Sequence, residues 1–457
     1  MKLKKVTAAA LAGLMTLSMG ACGVSTSTTT TSTATTSTAA STAASTATAS
    51  TASAASTADT TGSGTTLKVE IWDTNQQAGL QQICDEFTAK TGIKAKIDVV
   101  NWDNYWTQLE AGATGGDMPD VFWMHSNVSN QYMANGVLMD LTDKIKSSTT
   151  VDITKYYQDV LSLYTLDNKY YAVPKDYDTI GLWYNKTLFD KAGVSYPDDT
   201  WTWDDMYNAA VKLTDKANGI YGYAANTTNN QDSWYNMVYS MGGSVLHDDM
   251  TTSGMGDDAT LKAMDYVGKL CSDVMPEQAT MSETGVSTMF ENGQVAMITQ
   301  GSWMVPEFKN NEYTAKNCDV AVLPKDAATG GWVSIYNGLG WAASAKTSHP
   351  DEAWQLIEYL GSEAAQKEQA DLGVTMSAWQ GTSDGWTSAA SMFNLKAFLE
   401  MAQKAKLVIR PHSYKTTTWE TMLSEDLVAA WKDPTQMETV CKACAQKMDD
   451  DIKADAP

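Results

Sequence analysis

Hydrophobic positions first become regular at Leu67, Val69 and Ile71, which alternate with polar residues and predict a strand. Leu80, Ile83 and Phe87 then recur at helical spacing until Gly92 supplies a stop signal. Ile93, Ala95, Ile97 and Val99 alternate again, so the opening of this region reads β-α-β. Asp120-Val121-Phe122-Trp123-Met124 is a short apolar run of the kind that forms a buried parallel strand. Strand and helix in turn are the signature of an α/β lobe. Further on, Trp354, Ile357 and Leu360 keep helical spacing between Pro350, a helix-start residue, and Gly361. From Thr417 to Ile452 the spacing predicts two or three helices with a break near Asp433-Pro434. No internal repeat or coiled coil appears.

The N-terminus follows different rules. Lys2, Lys4 and Lys5 precede an apolar stretch from Val6 through Met19, which has the charge and length of a secretory signal. It falls short of the roughly 20 apolar residues that a membrane span needs. Leu17-Ser18-Met19-Gly20-Ala21-Cys22 follows, and this arrangement resembles a bacterial lipobox. The resemblance implies that residues 1–21 are removed and that Cys22 carries the lipid. From Ser25 to Ala58 every residue is Ser, Thr or Ala, a composition that buries no core and is expected to stay disordered. Fully stretched, that tract would reach on the order of 110 Å. The expected organisation is thus a leader (1–21), a lipidated linker (22–65) and a folded remainder too long for one core, giving two lobes.

Composition narrows the function. The formal net charge is −22, and removal of the three N-terminal lysines makes it more negative still. No basic patch is present, so nucleic acid is excluded as a partner. Besides Cys22 there are five cysteines (Cys84, Cys271, Cys318, Cys441 and Cys444), an odd number that argues against a fully paired disulfide framework. Cys441-x-x-Cys444 lies in a stretch predicted helical, with no second cysteine pair and no nearby histidine, so no metal or cofactor is expected.

Aromatic usage is the strongest chemical clue. The chain has 16 Trp and 20 Tyr against 7 Phe, favouring rings that pair a flat face with a polar handle. Sugars need that combination, since their C–H faces stack on indoles while their hydroxyls seek amides, carboxylates and phenols. Arg410 is the only arginine, which disfavours carboxylate or phosphate cargo, for which the guanidinium fork is the usual receptor. There is no G-x-S-x-G elbow, Gly-rich phosphate loop or H-E-x-x-H. Abundant carboxylates still leave a glycosidase pair open.

Several segments, taken in order, are more specific. Pro119-Asp120-Val121-Phe122-Trp123-Met124 leads to Asn135-Gly136-Val137-Leu138 and Asp140-Leu141-Thr142-Asp143. Tyr171-Ala172-Val173-Pro174 leads to Trp183-Tyr184-Asn185-Lys186 and Leu188-Phe189. Phe290-Glu291-Asn292-Gly293-Gln294-Val295-Ala296-Met297 leads to Gly301-Ser302-Trp303, and Asn337-Gly338-Leu339-Gly340-Trp341 runs toward Pro350-Asp351-Glu352-Ala353-Trp354. Together they resemble the maltose-binding type of bacterial extracellular solute-binding proteins, family 1. The resemblance implies a periplasmic-binding-protein-like type II α/β fold: two α/β lobes joined by hinge crossings, with a ligand cleft between them. Lobe I would take residues 66–175 and 337–373, and lobe II residues 178–331 and 377–457. Crossings would fall near Lys175–Asp178, Gly331–Asn337 and Gly373–Ser377.

The same resemblance implies the site. Trp123, Asp178 and Trp303 match family positions that face the sugar, with His125 following Trp123 in its loop and Trp234 aligned more loosely. Asn75 and Gln76, in the loop after the first strand, depart from the charged pair of maltose-specific members. Tyr336, Asn337, Trp379 and Trp386 are further cleft candidates. The implied function is non-enzymatic: a monomer, lipid-anchored at the extracellular face of the membrane, binds a neutral oligosaccharide. It would deliver that sugar to the two transmembrane subunits of an ABC permease and their ATPase. A surface glycoside-active enzyme and a binder of non-sugar solutes are the rival readings.

Overall fold

The computed structural model describes residues 64–226 and 230–454. Cys22, the leader and the tract Ser25–Ala58 lie outside the described residues. The alternation that predicts the first strand appears as Thr66–Ile71, with Leu67, Val69 and Ile71 buried. The following helix, Thr74–Thr91, buries Leu80, Ile83 and Phe87. Asp73 caps its start by accepting the Asn75 N–H, and Gly92 ends it at φ 76°, a left-handed conformation suited to glycine. The strand Lys94–Val99 then returns parallel to the first.

Five strands form the first sheet, in the spatial order 94–99, 66–71, 121–124, 340–343 and 172–174. The first three run parallel, while Gly340–Ala343 runs antiparallel to both of its neighbours. Helices cover the sheet, which explains why all of Val121–Met124 is buried. A second sheet holds Met297–Gly301, Ile180–Asn185 and Cys318–Ala321, all antiparallel. Val333–Tyr336 pairs in parallel with Lys406–Ile409. These sheets belong to one unit, Asp59–Pro457.

The chain passes between the two sheets at 175–179, immediately after the strand Ala172–Pro174 and before Ile180–Asn185. It returns at 337–339, between Val333–Tyr336 and Gly340–Ala343. The last passage comes later than 373–377. Ser377 still bridges Asp176, and Trp379 still packs on Tyr156, before Trp386 joins the second-lobe core against Phe398.

The C-terminal helices are Thr416–Lys432 and Met437–Lys453, separated by a short turn at Pro434–Gln436. Cys441 and Cys444 both face the core from the second of these as free thiols. Among the described residues, no helix is long and apolar enough to cross a membrane.

Candidate functional site

Strand ends organise the site. Trp72 and Asp73 leave the end of Thr66–Ile71, His125 the end of Val121–Met124, and Trp303 follows Met297–Gly301. Asn337 and Arg410 leave the ends of the parallel pair Val333–Tyr336 and Lys406–Ile409. Carboxyl ends of strands are where open α/β folds place their ligands.

On the first lobe an aromatic group surrounds Trp72, whose ring meets Trp102 at 5.1 Å, Tyr105 at 5.0 Å and Trp123 at 4.8 Å. Trp102 is 40% exposed and Trp72 and Trp106 are half-buried, so these three offer indole surface. Trp123 does not. It is 0% exposed, with Trp72 and Trp341 against its ring and Lys175 Nζ 4.5 Å from its centroid. It supports the aromatic surface from beneath rather than offering a free face, which corrects its expected placement.

Lys175 enters the first passage fully buried, where it donates to Asp176 Oδ2 at 2.7 Å and to Gln76 Oε1 at 2.7 Å. Burial pulls its ammonium below the usual range, and Asp176 opposes that pull. Gln76 in turn donates to Asp73 Oδ2 at 2.9 Å. Asn75 reaches the second lobe, donating to Glu307 Oε2 at 3.5 Å on the helix that follows Trp303. Burial, then Glu291 and Asp73, push the Glu307 carboxyl up to about 7.

The floor is polar and buried. Gln231 Nε2 donates to Asp178 Oδ1 at 3.0 Å, and Asn337 Nδ2 donates to Gln231 Oε1 at 3.4 Å. His125 Nε2 lies 3.1 Å from Asn337 Nδ2, while its Nδ1 accepts the Asn127 N–H at 3.2 Å and caps the helix Ser126–Ala134. Burial, reinforced by Asp176, raises the Asp178 carboxyl to about 8. Burial also holds Asp232, which hydrogen-bonds Gln300, well above the carboxylate range. His125 is pushed well below its usual value by burial and by the Arg410 charge. Asn337 Oδ1 has no hydrogen-bond partner.

Trp303 stands on the opposite side, half-buried, in the turn after Gly301. A Cβ on Gly301 would collide with its ring, so glycine is what lets the indole lie on the backbone. Because Ile180 pairs with Gly301, Trp303 follows the strand end next to Thr179 and Asp178.

His125, Asp178 and Asn337 are therefore brought together, with Asn75, Gln76 and Trp303 along the same inter-lobe seam. Trp234, Trp379 and Trp386 are not. Trp234 packs on Tyr235 at 4.6 Å and donates to Asn230, inside the second lobe. Trp379 packs on Tyr156, and Trp386 is 0% exposed with its ring 5.9 Å from that of Phe398. Tyr336 is buried, with its ring 6.1 Å from both Tyr157 and Tyr177. Trp72, Gln231, Asp232 and Arg410 lie outside the sequence-based set; the available signal for Trp72 was its place one residue past a predicted strand. Farther out, a cavity of about 410 Å³ separates Gln131 and Asn135 of the first lobe from Tyr414, Lys415, Thr417 and Thr418 of the second.

A profile of the bacterial extracellular solute-binding proteins matches residues 72–367. The chain belongs to that family. As a member it is an ABC-transporter solute-binding protein rather than an enzyme. An ABC transporter extracellular-binding protein of Pyrococcus horikoshii is 25% identical over 66% of this solute-binding protein and 68% of its own length. The maltodextrin-binding protein of Bacillus subtilis is 24% identical over 65% of this chain and 69% of its own. An ABC substrate-binding protein of Listeria monocytogenes, solved with cycloalternan, superposes with a TM-score of 0.78 at 24% identity, covering 85% of this chain and 99% of the other. That likeness shows the two-lobed fold of this solute-binding protein.

Proposed function

We propose that this solute-binding protein closes its two lobes on a neutral oligosaccharide and delivers it to the transmembrane subunits of an ABC importer. In this reading the chain acts as a monomer held at the outer face of the membrane by lipid on Cys22, and the importer's ATPase powers uptake. The carrying observation is an inter-lobe seam with indole surface on both sides and a buried amide–carboxyl floor between them. Trp72 and Trp102 lie against His125 on the first lobe, Trp303 follows the strand end beside Thr179 on the second, and Asp178, Gln231 and Asn337 hydrogen-bond to one another between them. Indole faces suit C–H surfaces and the floor suits hydroxyls. A ligand that touches both lobes only when they are closed stabilises the closed state. Relatives whose names specify maltodextrin, galactooligosaccharide and multiple sugars support the ligand class.

A smaller polyol is the second reading, favoured by an erythritol/L-threitol-binding relative from Mycolicibacterium smegmatis. Calorimetry of the purified chain against neutral oligosaccharides, monosaccharides and alditols tests both. Tight binding of an oligosaccharide without cleavage is the expected result. Saturation by alditols alone would replace the first reading with the second.

A further inference from the structure

The chain's single arginine is buried at the seam with most of its donors unused. Lys406–Ile409 pairs in parallel with Val333–Tyr336, and Ile409 stands opposite Tyr336. Asn337 and Arg410 therefore leave neighbouring strand ends side by side, and the Arg410 N–H donates to the Tyr336 carbonyl at 2.9 Å. The residue is 5% exposed. Its Nη2 donates to both oxygens of Glu420, each at 2.7 Å. Nε and Nη1 have no partner. Of the five guanidinium N–H groups, Nη2 uses two, which leaves three buried and unsatisfied. A buried donor without an acceptor is costly, and a ligand oxygen that accepts from it would recover that cost.

We propose that Arg410 is a ligand-binding residue whose Nε and Nη1 donate to the hydroxyl oxygens of a neutral sugar. This rests on the oligosaccharide reading above and names both a residue and a charge preference for it. Glu420 holds the guanidinium in place and is itself held by the Tyr235 hydroxyl, which donates to it at 3.2 Å. The surroundings set the charge preference. The positive charge of Arg410 is already matched by Glu420, and Lys175 is matched by Asp176. Asp178 and Asp232 lie close enough to feel the Arg410 charge. A ligand carboxylate would bring another anion beside the Glu420 and Asp176 carboxylates with no spare positive charge from Arg410 or Lys175. Sugar hydroxyls accept from Arg410 and donate toward the carboxyls without that conflict.

A purely structural arginine, tying the helix Thr416–Lys432 to its strand, would give a different experimental signature. The test is calorimetry of the full chain with an oligosaccharide that the wild type binds, its monodeoxy analogues and its uronic-acid counterpart. The variants are Arg410→Lys, Arg410→Met and the pair Arg410→Met with Glu420→Gln, which leaves no orphaned carboxylate and protects the fold. We expect at least a tenfold weaker affinity for the paired variant. At least one deoxy position that costs the wild type affinity should cost that variant nothing further. Unchanged affinity, or a loss spread equally over every analogue, overturns the proposal. Preference for the uronic acid overturns its charge argument. A wild-type chain that binds no saccharide overturns the sugar reading, and this inference with it.

Discussion

Asp178 and Asn337 pair backbone to backbone where two passages between the lobes touch, with the Asp178 N–H donating to the Asn337 carbonyl at 2.8 Å. Both side chains hydrogen-bond Gln231 as well. Backbone and side chains therefore tie the two passages to each other at one point.

Trp303→Ala should weaken sugar binding by roughly 1–3 kcal/mol, because in the proposed reading this half-buried indole stacks on the ligand. Calorimetry and a thermal melt check this together. Affinity that falls while the melting temperature stays nearly constant is the expected pair of results.

Trp386→Ala should do the opposite. Its ring is fully buried against Phe398, and truncating such a residue costs about 3–5 kcal/mol. Urea unfolding should show that loss, while the folded fraction keeps wild-type affinity. Trp123→Ala should destabilise similarly and, by undercutting Trp72, also lower affinity.

Asp178 predicts a pH dependence with a defined sign. Its carboxyl is raised from 3.8 to about 8 by burial first and Asp176 second. As pH rises from near 4 toward 8, the unfolded chain gives up this proton while the folded chain keeps it, so stability falls across that window. Asp178→Asn keeps an oxygen for Gln231 and removes the titration. Its melting temperature relative to wild type should therefore be higher at pH 8 than at pH 5. A constant difference between the two pH values would contradict this.

Lys175→Met should strand the Asp176 carboxylate in a buried passage, a change that typically costs about 3–5 kcal/mol. Adding Asp176→Asn should recover much of it, since no charge is then left buried. Denaturant titration of the two variants reads this directly.

Cys22→Ala tests the anchor. Membrane fractionation should find the variant released or unprocessed. A processed form that still sediments with membranes would count against lipid attachment at this position.

Much of the scaffold was legible because it obeys local rules. Alternation at Leu67, Val69 and Ile71, the stop at Gly92, the start at Pro350 and the break at Asp433-Pro434 each reappear as element boundaries. The site was only partly legible. His125, Asp178 and Asn337 converge, whereas Trp123, Trp234, Trp379 and Trp386 turn out to be packed against other rings. An indole is equally at home in a core and at a ligand face, so its identity does not reveal which it will be. Arg410 shows the converse. Its rarity argued against anionic cargo, and nothing in its neighbours along the chain announced that it would lie buried beside Asn337.

By itself the sequence determined the α/β alternation and the aromatic, arginine-poor chemistry, because these follow from periodicity and composition, and its ordered segments carried the family resemblance. Tertiary structure alone decided which indoles are covered and which keep exposed surface. It also decided that Gln231 joins Asp178 to Asn337, and that a lone guanidinium keeps three donors unspent. The reason is that burial and hydrogen-bond partnership are set by strands and passages far apart in the chain, and no local pattern encodes them.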